Sequence, residues 1–154
     1  MPNAVVAVLT LLSFLGQATP PVSSPTVVFV CEHGAAKSLI ASAYFNKLAA
    51  ERGLKARASF RGVAPQDDLS VRTVAGLKAD GLLIPEQKPT AISDADIDHA
   101  TLIFAIACQL PTAAATSGKA ASWDDVPEND GYPAMRDAIV RHINALLNQL
   151  QVRR

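Results

Sequence analysis

The chain has 154 residues, 49% hydrophobic and 18% charged, the balance of a globular protein long enough for one α/β domain with a real core. Lys+Arg and Asp+Glu each number 14, and no basic stripe interleaved with aromatics offers a nucleic-acid surface. Two cysteines make no disulfide framework, and no CxxC spacing suggests a zinc knuckle.

Residues 1–18 carry no charged side chain, and residues 4–15 are almost wholly apolar. That run is too short to span a bilayer, which takes roughly 20 residues. With Gly16-Gln17-Ala18 behind it, it reads as a signal peptide, so the expectation is an exported, periplasmic protein. The missing Lys or Arg before the run keeps a cytoplasmic protein as the alternative. Residues 19–25, rich in Pro and Ser, read as a linker, and the domain proper is expected over 26–154.

From Thr26 strand-like and helix-like segments alternate. Residues 26–30 (TVVFV) are continuously apolar and β-branched, as in a strand buried on both faces. Residues 37–51 carry Leu39, Ile40, Ala43, Tyr44 and Leu48 at helical spacing, with Gly53 as the stop. Residues 55–60 alternate weakly as a second strand. Asp68-Leu69-Ser70 opens a helix ending at Gly81, with Val71, Val74, Ala75 and Leu77 expected inside. Ser93 caps a short acidic helix. Residues 101–107 (TLIFAIA) form the second continuously apolar strand. A last helix is expected over 133–150, with Met135, Ile139, Ile143, Leu146, Leu147 and Leu150 on one face. This order predicts a single three-layer α/β domain, a mostly parallel sheet flanked by helices. Ligands of such sheets sit beyond the carboxyl ends of strands, and Cys31 and Cys108 each follow an apolar strand directly.

The stretch VFVCEHGAAKS, residues 28–38, admits three readings. A nucleotide P-loop would need glycines where Cys31 and Ala36 stand. A metal site drawing on Cys31, His33, His99 and Cys108 lacks ligand spacing. The third reading makes Cys31 a nucleophile. Six residues from Cys31 to Lys37 suffice for a loop curled around one tetrahedral oxyanion, its amides pointing inward at a helix N-terminus. The same field favours an anionic sulfur, to which Ser38 would donate. Gly34 sits where a positive φ is expected.

C-x5-K-S after an apolar strand resembles the C-x5-R-[ST] signature of low-molecular-weight protein tyrosine phosphatases and of the thioredoxin-coupled arsenate reductases that share their fold. Residues 38–49, the Ala58-Ser59-Phe60-Arg61-Gly62 turn, the 101–108 strand and Trp123 with Arg136-Asp137-Ala138-Ile139 continue the likeness over roughly residues 26–150. The resemblance implies a four-stranded sheet and hydrolysis of phosphate monoesters, including phosphotyrosine, through a phosphocysteine. In it Cys31 is the nucleophile, Ser38 its hydrogen-bond donor, and Lys37 with the amides of Glu32, His33, Gly34, Ala35, Ala36 and Lys37 binds phosphate. No metal or organic cofactor is implied.

Three departures bear on the chemistry. Lys37 replaces an arginine that grips phosphate bidentately, and losing such a clamp costs roughly 10²–10³ in rate by analogy with oxyanion donors. The family's acid is an aspartate followed by proline, protonating the leaving oxygen. Here Asp124, Asp125, Glu128 and Asp130 surround Pro127 without an Asp-Pro pair, and Asp125 is the first choice, Asp124 the second. Reductases of this fold relay electrons through two further thiols. Cys108 alone remains as a resolving thiol, so a reductase would need a direct Cys31–Cys108 disulfide or an external thiol. A catalytically weak oxyanion- or partner-binding domain is the third alternative.

Overall fold

The computed structural model describes residues 23–128 and 130–153. The segment expected to direct export, and most of the linker, lie outside the described residues. Four parallel strands make one sheet in the order β2-β1-β3-β4. β1 is Thr26–Cys31, β2 Arg57–Gly62, β3 Leu102–Ile106 and β4 Ala120–Trp123. The helices are α1 Lys37–Glu51, α2 Val71–Ala79, α3 Asp94–His99, α4 Thr112–Ala115 and α5 Gly131–Val152.

Side-chain alternation along the two central strands divides the core. Val27 and Phe29 of β1, with Phe104 and Ile106 of β3, pack against Ile40, Ala41 and Phe45 of α1 and Ile139, Ile143 and Leu147 of α5. Val28 and Val30, with Ile103, pack on the other face against Ala100 and Ala114 beside α3 and α4. Phe29 is the hinge of the larger cluster, its ring 5.9 Å from Phe45, 5.8 Å from Phe104 and 5.3 Å from Trp123. A third cluster joins Leu39, Phe60, Leu77 and Leu82, seating α2 beside α1 at the β2 edge.

α3 carries the capping box its sequence suggests, Ser93 and Asp96 each satisfying the other's backbone amide. α2 corrects an expectation. It begins at Val71 with Ser70 as N-cap, the Ser70 hydroxyl accepting from the Thr73 amide. That start turns Thr73 and Leu77 inward and leaves Val71 83% exposed and Ala75 on the surface. β4 is a short edge strand with only its last residue, Trp123, buried, which is why no apolar run announces it.

Candidate active site

β1 ends on the face that looks toward α1, and this alternation aims Cys31 at the α1 N-terminus. Its sulfur lies 3.1 Å from Ser38 Oγ and accepts from the Ser38 amide at 3.5 Å. The N-cap of α1, Ala36, has no side-chain cap bond. The sulfur therefore does what a capping oxygen does elsewhere, taking one orphan amide of the first turn.

The loop between them is turned inside out by its carbonyls. Cys31 O accepts from Val63 at 3.1 Å, Glu32 O from Val63 and Ala64 at 3.0 and 2.8 Å, His33 O from Gln66 at 3.2 Å and Ala35 O from Ser70 at 3.0 Å. With the carbonyls drawn outward onto residues 63–70, the amides of His33, Gly34, Ala35 and Ala36 donate to no protein acceptor among the described residues. Converging amides at a helix N-terminus can hold one tetrahedral anion. Gly34 makes the turn possible. Its φ is +61°, and a Cβ there would stand 2.8 Å from the Gly62 nitrogen.

Lys37 opens α1 and is only 7% exposed. A cation in a helix's first turn opposes the macrodipole, and a buried one needs an anion. That anion is Glu128, whose carboxylate accepts from Lys37 Nζ. The hydrogen bond from Lys37, and then its charge, hold the Glu128 carboxyl below the usual range. Cys31, Glu32, His33, Ala35, Ala36 and Lys37 line a pocket of about 480 Å³ together with Gln66, Ser70, Glu128 and Met135.

The acidic loop departs from the sequence expectation. Asp125 points away from this pocket, its Oδ1 2.6 Å from His142 Nε2 on α5, and that bond holds its carboxyl low. Asp124 accepts from Ser122 Oγ at 3.0 Å, and Asp130 is exposed at the start of α5. Val126, 3% exposed, sinks into the core between them and turns the chain, so Asp125 faces α5 while Glu128 faces Lys37. The signal available beforehand was the lysine itself, a cation in a buried position that had to be met by one of the four acids.

Cys108 packs with the cluster on the sheet face opposite α1 and donates to Val30 O at 3.4 Å. Burial first, and then the charge of Cys31, push its thiol up to about 11. Sequence reading also missed Asp80, the C-cap of α2. Its carboxylate accepts from Tyr44 Oη at 2.6 Å, Tyr132 Oη at 2.7 Å and Arg136 Nη1 at 3.2 Å. Among the described residues no three His, Cys, Asp or Glu side chains gather as metal ligands.

A parallel sheet whose first strand delivers a cysteine to a loop of amides unpaired among the described residues, at a helix N-terminus, defines an α/β protein with a cysteine at the carboxyl edge of its sheet. The chain belongs to the low molecular weight phosphotyrosine protein phosphatase family, which it matches over residues 26–122. Its fold is similar to that of YfkJ from Bacillus subtilis, at 20% identity and TM-score 0.74, covering 88% of this chain and 99% of that one. A low molecular weight protein tyrosine phosphatase from Bacillus subtilis gives 20% identity and TM-score 0.73, with 84% and 99% covered. The thioredoxin-dependent arsenate reductase of Corynebacterium glutamicum gives 21% and 0.71, with 88% of this chain but 66% of that one covered. No curated protein matches it significantly in sequence.

Proposed function

We propose that the protein hydrolyses phosphate monoesters through a phosphocysteine on Cys31. The observation that carries this reading is the loop: a sulfur at its centre, with amides of residues 33–36 that donate to no protein acceptor among those described. The substrate's phosphoryl oxygens would take those amides and Lys37 Nζ. As Lys37 turns from Glu128 to the phosphoryl group, it removes what holds the Glu128 carboxyl low and lets that carboxyl carry a proton. The Cys31 sulfur then attacks phosphorus, the P–O bond breaks, and the leaving oxygen takes its electron pair and a proton from Glu128. Water, giving its proton back to Glu128, attacks the phosphocysteine. The Ser38 hydroxyl and amide receive the departing thiolate. Phosphotyrosine, the substrate in the family's own name, is the first ester to test.

Arsenate reduction on the same loop is the rival, since one structural neighbour is an arsenate reductase. It would require Cys108 or an external thiol to resolve the Cys31 adduct. Cys108 is a poor candidate because its thiol is pushed up to about 11 and packs on the other sheet face. The deciding experiment is hydrolysis of p-nitrophenyl phosphate with acid-quench mass spectrometry of the Cys31 peptide. Wild type should accumulate phosphocysteine, Cys31→Ser should lose turnover by about 10³-fold or more, and Cys108→Ala should keep it. Lys37→Arg should raise kcat by restoring the bidentate grip. Inorganic phosphate binding with no hydrolysis would leave only a binding domain. Thiol-dependent arsenate consumption that requires Cys108 would favour the reductase.

A further inference from the structure

The start of α5 is fixed from an unexpected place. Its N-cap, Asp130, makes no side-chain cap bond, so the usual device for setting a helix's first turn is missing. Tyr132, two residues in, does that work instead. Its ring lies flat over Gly76 of α2, where a Cβ would come within 2.4 Å of ring atoms. Its hydroxyl donates to Asp80 Oδ2 at 2.7 Å. Arg136, one helical turn later, reaches both Asp80 oxygens at 3.2 Å from Nη1, with its guanidinium 5.7 Å from the Tyr132 ring centre. Tyr44 of α1 completes the arrangement at 2.6 Å on the same Oδ2. The hydroxyls of Tyr44 and Tyr132 hold the Asp80 carboxyl below its usual range, so it is an anion at neutral pH, matched by Arg136.

Glu128 stands only four residues before Tyr132. We propose that Asp80 is a positioning residue for proton donation: by gripping Tyr132 and Arg136 it fixes the entry of α5, and through it the place of the Glu128 carboxyl in the pocket it shares with Cys31. The proposal rests on the reading of Glu128 as the acid. Its chemistry is the step already written, in which the Sγ–P bond forms, the P–O bond breaks and the leaving oxygen is protonated by Glu128. A strongly basic leaving group such as phenolate needs that proton. The weakly basic p-nitrophenolate departs without it, so the ratio of kcat/KM for the two esters reports the acid's placement and is insensitive to a general loss of folded enzyme.

The test compares phenyl phosphate and p-nitrophenyl phosphate in wild type, Glu128→Gln, Asp80→Asn, Tyr132→Phe and Tyr44→Phe. Asp80→Asn and Tyr132→Phe should lose about 10-fold on phenyl phosphate, a part of the roughly 10²–10⁴ a general acid supplies, with p-nitrophenyl phosphate little changed. Tyr44→Phe, which removes a partner of Asp80 but not the link to α5, should lower the thermal midpoint and leave the ratio alone. Tyr132→Phe carries the test if Asp80→Asn does not fold. A ratio shifted by Glu128→Gln but unmoved in both Asp80→Asn and Tyr132→Phe overturns the positioning role and leaves the acid assignment standing. A ratio unmoved by Glu128→Gln itself overturns both.

Discussion

Residues 32–36 and the acidic segment of residues 124–128, through Glu128, both reach the Cys31 pocket, the first loop tied down by backbone and the second by side chains. Each carbonyl of Cys31, Glu32, His33 and Ala35 has an amide partner from residues 63–70, and Gly34 meets Gly62 backbone to backbone. Across the pocket, Val126 in the core, Asp125 on His142 and Glu128 on Lys37 are the holds. The difference suits the two tasks of the proposed reaction. Transition-state oxygens call for donors that do not move. A proton donor must exchange its lysine for the substrate and then take a proton back. A loop held by exchangeable ion pairs permits that, and one held through its carbonyls by the amides of residues 63–70 does not.

The largest effect that would break this contrast comes from the acids. Glu128→Gln should lower kcat/KM for phenyl phosphate by about 10²-fold or more, whereas Asp125→Asn should lower it by only about 3-fold, as expected for a general acid against a distant anchor. The reverse ranking would mean that the second loop reorganises on binding and brings Asp125 to the sulfur. Steady-state kinetics on purified variants decides between them.

The backbone-held loop is tested by Gly34→Ala. Its φ of +61° disfavours any side chain, and the added methyl would stand 2.8 Å from Gly62 N and 3.1 Å from Arg61 C, neither of which is a flexible chain end. We expect a loss of about 1–3 kcal/mol in urea unfolding and weaker phosphate binding by calorimetry. Unchanged stability and affinity would show that the loop has slack, contrary to its hydrogen-bond pattern.

The same contrast explains what could be read in advance. The Cys31 loop is a local object: an apolar strand, six residues and a helix start define it, and each is visible in residues 26–40. The strands over 26–31 and 102–106 and the long last helix were legible for the same reason, being long runs with one clear period. The acid was not. Asp124, Asp125, Glu128 and Asp130 sit in one short polar segment, and the choice among them is made by Val126 burying itself and by His142, 17 residues further on. On α2, Leu77 is buried as its sequence suggests, but Val71 and Ala75, which look like core residues, stand exposed, and Thr73 one turn before Leu77 takes the buried place. Asp80 escaped notice since its three donors come from α1 and α5, far apart in the chain.

The smallest expected effect is also the most direct probe of the side-chain-held loop. Trp123 is the sole tryptophan, and its ring stacks on His142 with centroids 4.7 Å apart and planes 10° from parallel. His142 in turn holds Asp125. Because the hydrogen bond from His142 lowers the Asp125 carboxyl in the folded state, the pair contributes above the unfolded carboxylate value of about 3.9. Its contribution fades as pH falls through the lower folded value. Glu128 follows the same sign, its bond from Lys37 being lost on acidification. The backbone hydrogen bonds of residues 31–36 contain no titrating group and should persist over that range. Trp123 emission should therefore show a small transition below about pH 3.9, before global unfolding by far-ultraviolet circular dichroism, and Asp125→Asn should erase it. Superimposable traces for wild type and Asp125→Asn would mean that the Asp125–His142 bond does not hold the second loop, leaving Val126 and the Lys37–Glu128 pair to do so.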